Sequence, residues 1–239
     1  MKIIEKKDNA IIFKTEIEDS LVNAIRRYVN HVPVFAIDEV EIMKNDSSLY
    51  DETIAHRMGM IPLKIEKVLG KKNPKIKLSS KSEGFVYSKE IKGEAEPVYG
   101  DIPLTYLNKG QEIEIAGEIK QGLGLEHAKF SPGLIFYRNV SEVIMDKEFL
   151  GEVKSVFPNL EIKEKGNKII IIDDKKQEIA DVCEQICNKH GKKAEINPKD
   201  EIIITSESFG QMKPNQVFEK AIDELKKDLK DFSKKIDKI

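Results

Sequence analysis

The chain has 239 residues, 40 % hydrophobic and 34 % charged, enough apolar material for one large domain or two to three small ones. Its 40 Lys and Arg nearly cancel 42 Asp and Glu, leaving a net charge of −2, so the basic excess of a stand-alone nucleic-acid binder is absent and any approach to DNA is indirect or confined to a patch. Two cysteines argue against a disulfide framework, the opening Met1-Lys2-Ile3-Ile4-Glu5-Lys6 lacks the apolar region of a secretory leader, and no apolar run nears the roughly 20 residues of a bilayer crossing; the expectation is a soluble, cytoplasmic protein with no membrane partner.

Residues 2–17 read as a hairpin, with Asp8-Asn9 as its turn. A helix follows, capped by Asp19 or Ser20, bearing Leu21, Ile25, Tyr28 and Val32 at three- to four-residue spacing, and stopped by Pro33. Residues 36–43 form a strand with Val40 and Ile42 on one face and Glu39 and Glu41 on the other. From about 45 to 139 the segments are short and broken by Gly and Pro, an irregular and mostly β region. Within it the polar residues 71–84 are expected to be a loop. A strand after Pro62 is expected to present Leu63 and Ile65 alternately with Lys64 and Glu66.

A third unit covers residues 146–196. It reads as a helix at 147–157, a strand at 160–163, a turn at Gly166-Asn167, a returning strand at 168–172 and a helix at 177–189, whose end at His190-Gly191 suits a C-cap glycine. A strand at 201–206 and a loop at 209–213 then lead to a last helix. Pro214 fits its first turn, although Lys213 is a poor cap.

On that last helix Phe218, Ile222, Leu225, Leu229, Phe232, Ile236 and Ile239 recur at spacings of 4, 3, 4, 3, 4 and 3, a heptad pattern. The residues between them are mostly lysine and aspartate. The stripe would run roughly 30 Å, and burying it is worth on the order of 10 kcal/mol. Most amphipathic helices cover their own core. Here Val217 and Ala221 widen only the first turns, so the beginning of the helix is expected to pack internally and the later seam, from Leu229 on, to meet another chain.

Three stretches carry a resemblance: Leu21-Val22-Asn23-Ala24-Ile25-Arg26-Arg27 with Val32-Pro33-Val34, then Asp51 through Leu63 (DETIAHRMGMIPL), and Glu126-His127-Ala128-Lys129-Phe130-Ser131-Pro132. In this order, ahead of a strand and a heptad helix, they identify a chain similar to the D-type subunits of archaeal RNA polymerase, a family itself similar to the third-largest subunit of eukaryotic RNA polymerase II and to the bacterial alpha-subunit N-terminal domain. The resemblance implies an α+β fold. It has a discontinuous alpha-subunit-type dimerisation domain (1–42 and 201–239), an inserted mostly-β domain (43–145) and a ferredoxin-like third domain (146–200). It also implies a non-catalytic assembly platform that heterodimerises with an L-type subunit, then gathers the small N and P subunits and the second-largest catalytic subunit. Arg26, Arg27, His56 and Arg57, with Phe218, Ile222, Leu225, Leu229, Phe232 and Ile236, are the expected partner contacts. Adjacent arginines on one helix cannot both point inward, which leaves at least one of Arg26 and Arg27 for solvent or a partner.

Many members of that family hold an iron–sulfur cluster in the third domain. A ferredoxin run needs Cys-x2-Cys-x2-Cys-x3-Cys, but here Gln177 and Ala180 stand at the first two ligand places, and only Cys183 and Cys187 remain. Phe157-Pro158 stands where a Cys-Pro would be. The expectation is a degenerate domain without a cluster and two ordinary buried thiols; a zinc site at Cys183, Cys187 and His190 would lack a fourth ligand. Two other readings compete with the scaffold: a self-contained hydrolase-type enzyme using His56 or His127 with Glu52 or Glu126, and a free homodimeric coiled-coil adaptor. Neither histidine has a nucleophile or second histidine at motif spacing, and the adaptor leaves the three internal stretches unexplained.

Overall fold

The structure is a computed structural model describing residues 1–64 and 74–237. The chain divides into two compact units, each built from separate stretches: Met1–Asn23 with Ile135–Thr205, and Ala24–Leu134 with Ser206–Ile239. Among the described residues no helix is long and apolar enough to cross a membrane.

The first unit is organised on a six-stranded sheet. Strands β1 (Lys2–Lys6) and β2 (Ala10–Glu16) form the expected antiparallel hairpin. In the second unit lie β3 (Val34–Asn45), β4 (Lys75–Ser80), β5 (Gly84–Tyr87), β6 (Lys92–Gly93), β7 (Pro103–Leu107) and β8 (Ile113–Gly122). Strands β9 (Gly133–Asp146), β10 (Ile162–Lys165), β11 (Lys168–Asp173) and β12 (Glu195–Ser208) complete the first sheet, in the order β1-β2-β12-β9-β11-β10. The isoleucine run of β11 explains its central packing. Ile169 and Ile171, opposite Met145 and Val143 of β9, face one cluster with Phe149 and Val153, whereas Ile172 turns to Ile12, Val140 and Ile203 on the other side. Helices α3 (Leu150–Val156) and α4 (Ile179–Lys189) cover the first of these clusters. Gly191 takes φ +69° just after α4, as a C-cap requires.

Asp173 ties this unit together. It is 1 % exposed, accepts Arg138 Nη2 at 2.9 Å and accepts the Ala180 amide at 3.0 Å, so one buried carboxylate both pairs a charge and satisfies an orphan N–H in the first turn of α4. Asp173→Ala takes the carboxylate from Arg138, which keeps the Lys175 and Gln177 carbonyls, and from the α4 amide; it is expected to lower the unfolding free energy by about 2 kcal/mol, read from urea titration.

The second unit contains a four-stranded sheet, β3-β8-β4-β6, and the β5–β7 ribbon. Its helices are the end of α1 (Asp19–Tyr28), α2 (Asp51–Gly59) and α5 (Pro214–Ile236). Ile54 and Met58 of α2 are fully buried with Ile37, Leu63, Ile76, Leu78, Leu104, Leu107 and Ile115. The expected loop at 71–84 is corrected: within it β4 alternates Lys-Ile-Lys-Leu-Ser-Ser, burying Ile76, Leu78 and Ser80 while its lysines face out. Pairing with β8 on one side and β6 on the other, not its own weak apolar content, makes it a strand. Residues 71–73 lie outside the described part, as do Ile65 and Glu66 of the strand expected after Pro62; Leu63 makes a single bridge to Pro97. β9 is longer than anything expected before Asn139, and α2 is a helix in a region expected to be mostly β.

Candidate assembly interface

Helix α5 has Pro214 in its first turn, and the side chain of Gln216 accepts the Lys213 amide at 3.0 Å, a cap that the identity of Lys213 alone does not suggest. The Ser206 hydroxyl donates to the Pro214 carbonyl at 2.9 Å, anchoring the helix to the end of β12. It packs on the turn at Val29–His31. The heptad stripe then divides. Phe218 and Leu225 are buried at 8 % and 9 % exposure, and Ile222 is half-buried. Leu229, Phe232 and Ile236 are 59 %, 61 % and 53 % exposed, although they continue the same face. Ile239, the last member expected, lies outside the described residues.

A contact remote in sequence marks the point where the stripe emerges. The Tyr28 hydroxyl, at the end of α1, donates to Asp228 Oδ2 at 3.0 Å, and the Tyr28 ring stacks on His31 with centroids 4.3 Å apart. The neighbouring carboxylate raises the Tyr28 pKa above its ordinary value. Arg26 and Arg27 are both exposed in the last turn of α1.

The other expected contacts sit elsewhere in this unit. His56 and Arg57 are exposed on α2, but Arg57 Nη1 donates to the Leu104 carbonyl at 2.9 Å, which binds the helix to β7. The 126–132 stretch folds onto β3: Phe130 is buried with Val34 and Ala36, and Lys129 Nζ reaches Asp38 Oδ1 at 2.6 Å, holding that carboxyl below its ordinary pKa. His127 caps the short turn there, its Nδ1 accepting the Lys129 amide at 3.1 Å. That bond commits the ring to a structural task. Among the described residues no hydrogen bond joins His56 or His127 to a nucleophile, and two surface concavities, about 500 Å³ beside Lys64, Lys89 and Lys92 and about 360 Å³ beside Leu160 and Asp174, are lined by neither histidine.

Cys183 and Cys187 are free thiols buried on α4. Burial pushes Cys183 from its ordinary value near 9.0 up to about 11, and raises Cys187 as well. At the lost ligand places, Ala180 and Phe157 pack against the same apolar cluster as the thiols. His190 points away to Glu152 at 2.8 Å. Among the described residues no group of three or more His, Cys, Asp or Glu could hold a metal ion; an iron–sulfur cluster takes three or four thiolates, and the two cysteines of the sequence do not fit one. Both thiols are expected to resist a thiol reagent at pH 8 and to react fully in urea. The raised Cys183 pKa also has a sign: the stability that comes from a neutral buried thiol is intact below about pH 9 and is lost as pH rises toward 11.

This arrangement, with its histidines in structural or exposed positions and an apolar helix face left uncovered, defines a component of a larger assembly. The profile of the RNA polymerase Rpb3/RpoA insert domain matches residues 40–135. The chain is 30 % identical to DNA-directed RNA polymerase subunit Rpo3 of Thermococcus kodakarensis over 233 residues, 90 % of this chain and 89 % of that one. It is 38 % identical to the Rpo3 subunit of Methanocaldococcus jannaschii over 163 residues, 66 % of this chain and 83 % of the relative. A 37 % identical match to the Pyrococcus horikoshii Rpo3 subunit spans 63 % of each chain, less than two thirds of that relative's length. The chain belongs to the Rpo3 family of DNA-directed RNA polymerase subunits. Rpo3 is the archaeal D-type subunit, so the resemblance carried by the three sequence stretches is borne out.

Proposed function

We infer that this chain is a non-catalytic assembly subunit of DNA-directed RNA polymerase, and that the outer half of α5 is its pairing surface for an L-type subunit. The carrying observation is the division of one continuous apolar stripe into a buried half ending at Leu225 and an exposed half from Leu229 to Ile236. Three large side chains in water on one helix face are a cost that a bound partner removes. In this reading residues 1–42 and 201–239 make the pairing domain, 43–145 the insert and 146–200 a ferredoxin-like domain that persists without a cluster. Arg26, Arg27 and His56, exposed on α1 and α2, contact the second-largest subunit or the small N and P subunits. The nucleotidyl transfer belongs to the large subunits in the cytoplasm, and DNA is met only through the complex.

Co-expression with an L-type subunit tests the reading: a stable 1:1 heterodimer is expected, and a chain that stays apart from that subunit overturns it. The purified protein is also expected to contain no iron. A brown preparation with visible absorption would contradict the cluster-free assignment.

A further inference from the structure

One surface of the second unit combines exposed rings with lysines. The strands of the β5–β7 ribbon pair only with each other among the described residues, and three rings lie along the ribbon. Phe85 and Tyr106 stand opposite one another across it, 59 % and 41 % exposed, and meet edge to face with centroids 5.1 Å apart. Tyr87 follows at 6.0 Å from Phe85, half-buried, with Lys89 Nζ 5.3 Å from the centre of its ring. Lys89 in turn lines the concavity of about 500 Å³ together with Lys64 and Lys92. Lys92, on β6, lies directly opposite Lys77 of β4, and both are exposed. Neighbour by neighbour, rings and lysines make one strip from Tyr106 to Lys77.

The positive charge of this strip is not answered within the chain. Lys77, Lys89 and Lys92 have no ion pair among the described residues. Like charges directly opposite on neighbouring strands are destabilising, yet Lys77 and Lys92 are such a pair. Nearby carboxylates are drawn elsewhere: Glu96 to Lys64 at 3.5 Å, Glu90 to the Tyr87 amide at 3.0 Å and Glu94 to the Lys75 amide at 2.8 Å. Protein interfaces enrich aromatic residues but deplete lysine. Rings joined to unpaired lysines instead suit a polyanion that also offers flat faces. Single-stranded nucleic acid has both: its bases stack on rings, and its phosphates shed counterions to lysines. A duplex keeps its base faces inside its own stack.

We propose that this strip binds single-stranded nucleic acid, with bases stacked on Phe85, Tyr87 and Tyr106 and phosphates held by Lys77, Lys89 and Lys92. The activity goes beyond the assembly role given above and does not depend on the pairing of α5. With a net charge of −2 for the whole chain, binding is confined to this strip. Inside a polymerase the strand is either transcript or unwound DNA.

The test is fluorescence anisotropy of the full chain with end-labelled oligo(U), oligo(dT) and a duplex of the same length, across a range of salt. The parent is expected to bind a single strand about tenfold or more tightly than the duplex, and the tighter of the two oligonucleotides names the source. F85L/Y106L keeps apolar bulk and removes two rings. It is expected to weaken single-strand binding about tenfold or more at every salt concentration, with the salt slope unchanged. K77A/K89A/K92A is expected to weaken binding about tenfold or more at low salt and to flatten the logarithmic salt slope by about 2, as the loss of three phosphate contacts requires. Both variants should melt with the parent, since the altered side chains are exposed. A parent that binds no single strand at low salt, or binds the duplex as tightly, overturns the proposal. So does F85L/Y106L binding like the parent. If F85L/Y106L keeps its oligonucleotide affinity but no longer co-purifies with other polymerase subunits, the strip is a protein interface and the proposal fails.

Discussion

Leu229→Asp combined with Phe232→Asp is expected to leave the chain folded and to abolish its co-purification with an L-type subunit. Both side chains are mostly exposed in the isolated chain, and exposed substitutions of this kind stay within about 0.5 kcal/mol of the parent stability. In a complex, each would be buried, at about 1.5–3 kcal/mol per side chain. Losing both costs about 4 kcal/mol, on the order of a thousandfold in affinity, and burying two aspartates in an apolar seam adds to it. Circular dichroism and melting temperature check the fold, and affinity capture checks the pairing. The contrast is internal to the helix. Val217→Asp or Ala221→Asp, at positions fully buried in the chain itself, should unfold the protein and lose the partner together. Equal behaviour of the two halves of α5 would refute the division of the stripe.

Gly133→Val is expected to be among the most damaging single changes in the molecule. A Cβ at Gly133 would fall far inside contact distance of the Glu207 carbonyl oxygen, and within 3.0 Å of the Glu207 carbonyl carbon and 3.1 Å of the Ser208 Cα. These are backbone atoms of the neighbouring strand, so no side-chain rotation relieves the clash. The start of β9 and the end of β12 would have to part, and the Phe209 amide would lose its 3.0 Å bond to the Pro132 carbonyl. The expected loss is about 4 kcal/mol or more, at the far end of single substitutions, or a fall of about 10 °C in melting temperature for a chain of this size. Gly151→Ala supplies the control. Gly151 is exposed in α3 with nothing near its added methyl, so that change should be neutral or stabilise by up to about 1 kcal/mol.

These two expectations draw on different layers of information. Leu229 and Phe232 are visible in the sequence as members of a heptad, and their place on one face follows from helical geometry alone. Gly133 is one of 14 glycines with nothing in its neighbourhood to distinguish it. Its constraint comes from Glu207, far along the chain, arriving on the adjacent strand. The same holds on α5. The stripe is legible, but the bond from Tyr28 to Asp228 spans 200 residues, and with it the knowledge that Asp228 is already engaged. The lysines of α5 read in sequence as a uniformly solvated face. Only the structure shows that Lys227 and Lys234 pair with Glu224 and Asp231 of the same helix.

The stretch Glu126–Pro132 shows the opposite error a sequence invites. His127 and Glu126 stand side by side like an acid–base pair, yet the imidazole caps a turn and Phe130 is packed under β3. The α2 helix escapes detection because its buried apolar positions, Ile54 and Met58, are only two in nine residues, and β4 because its two apolar side chains sit among lysines and serines. Both elements are made by what packs against them.

By itself the sequence determined the features that depend on near neighbours: the β1–β2 hairpin, the capped end of α4, the heptad period of α5 and a thiol count of two, with Gln177 and Ala180 ahead of Cys183 and Cys187. Turn chemistry, helical period and ligand count are all set within a few residues of chain. Tertiary structure alone decided where the α5 stripe passes from core to water between Leu225 and Leu229, which polar segments become strands, and that Asp228 meets Tyr28. Each of those depends on a partner brought in from far along the chain, and no local pattern encodes which partner that will be.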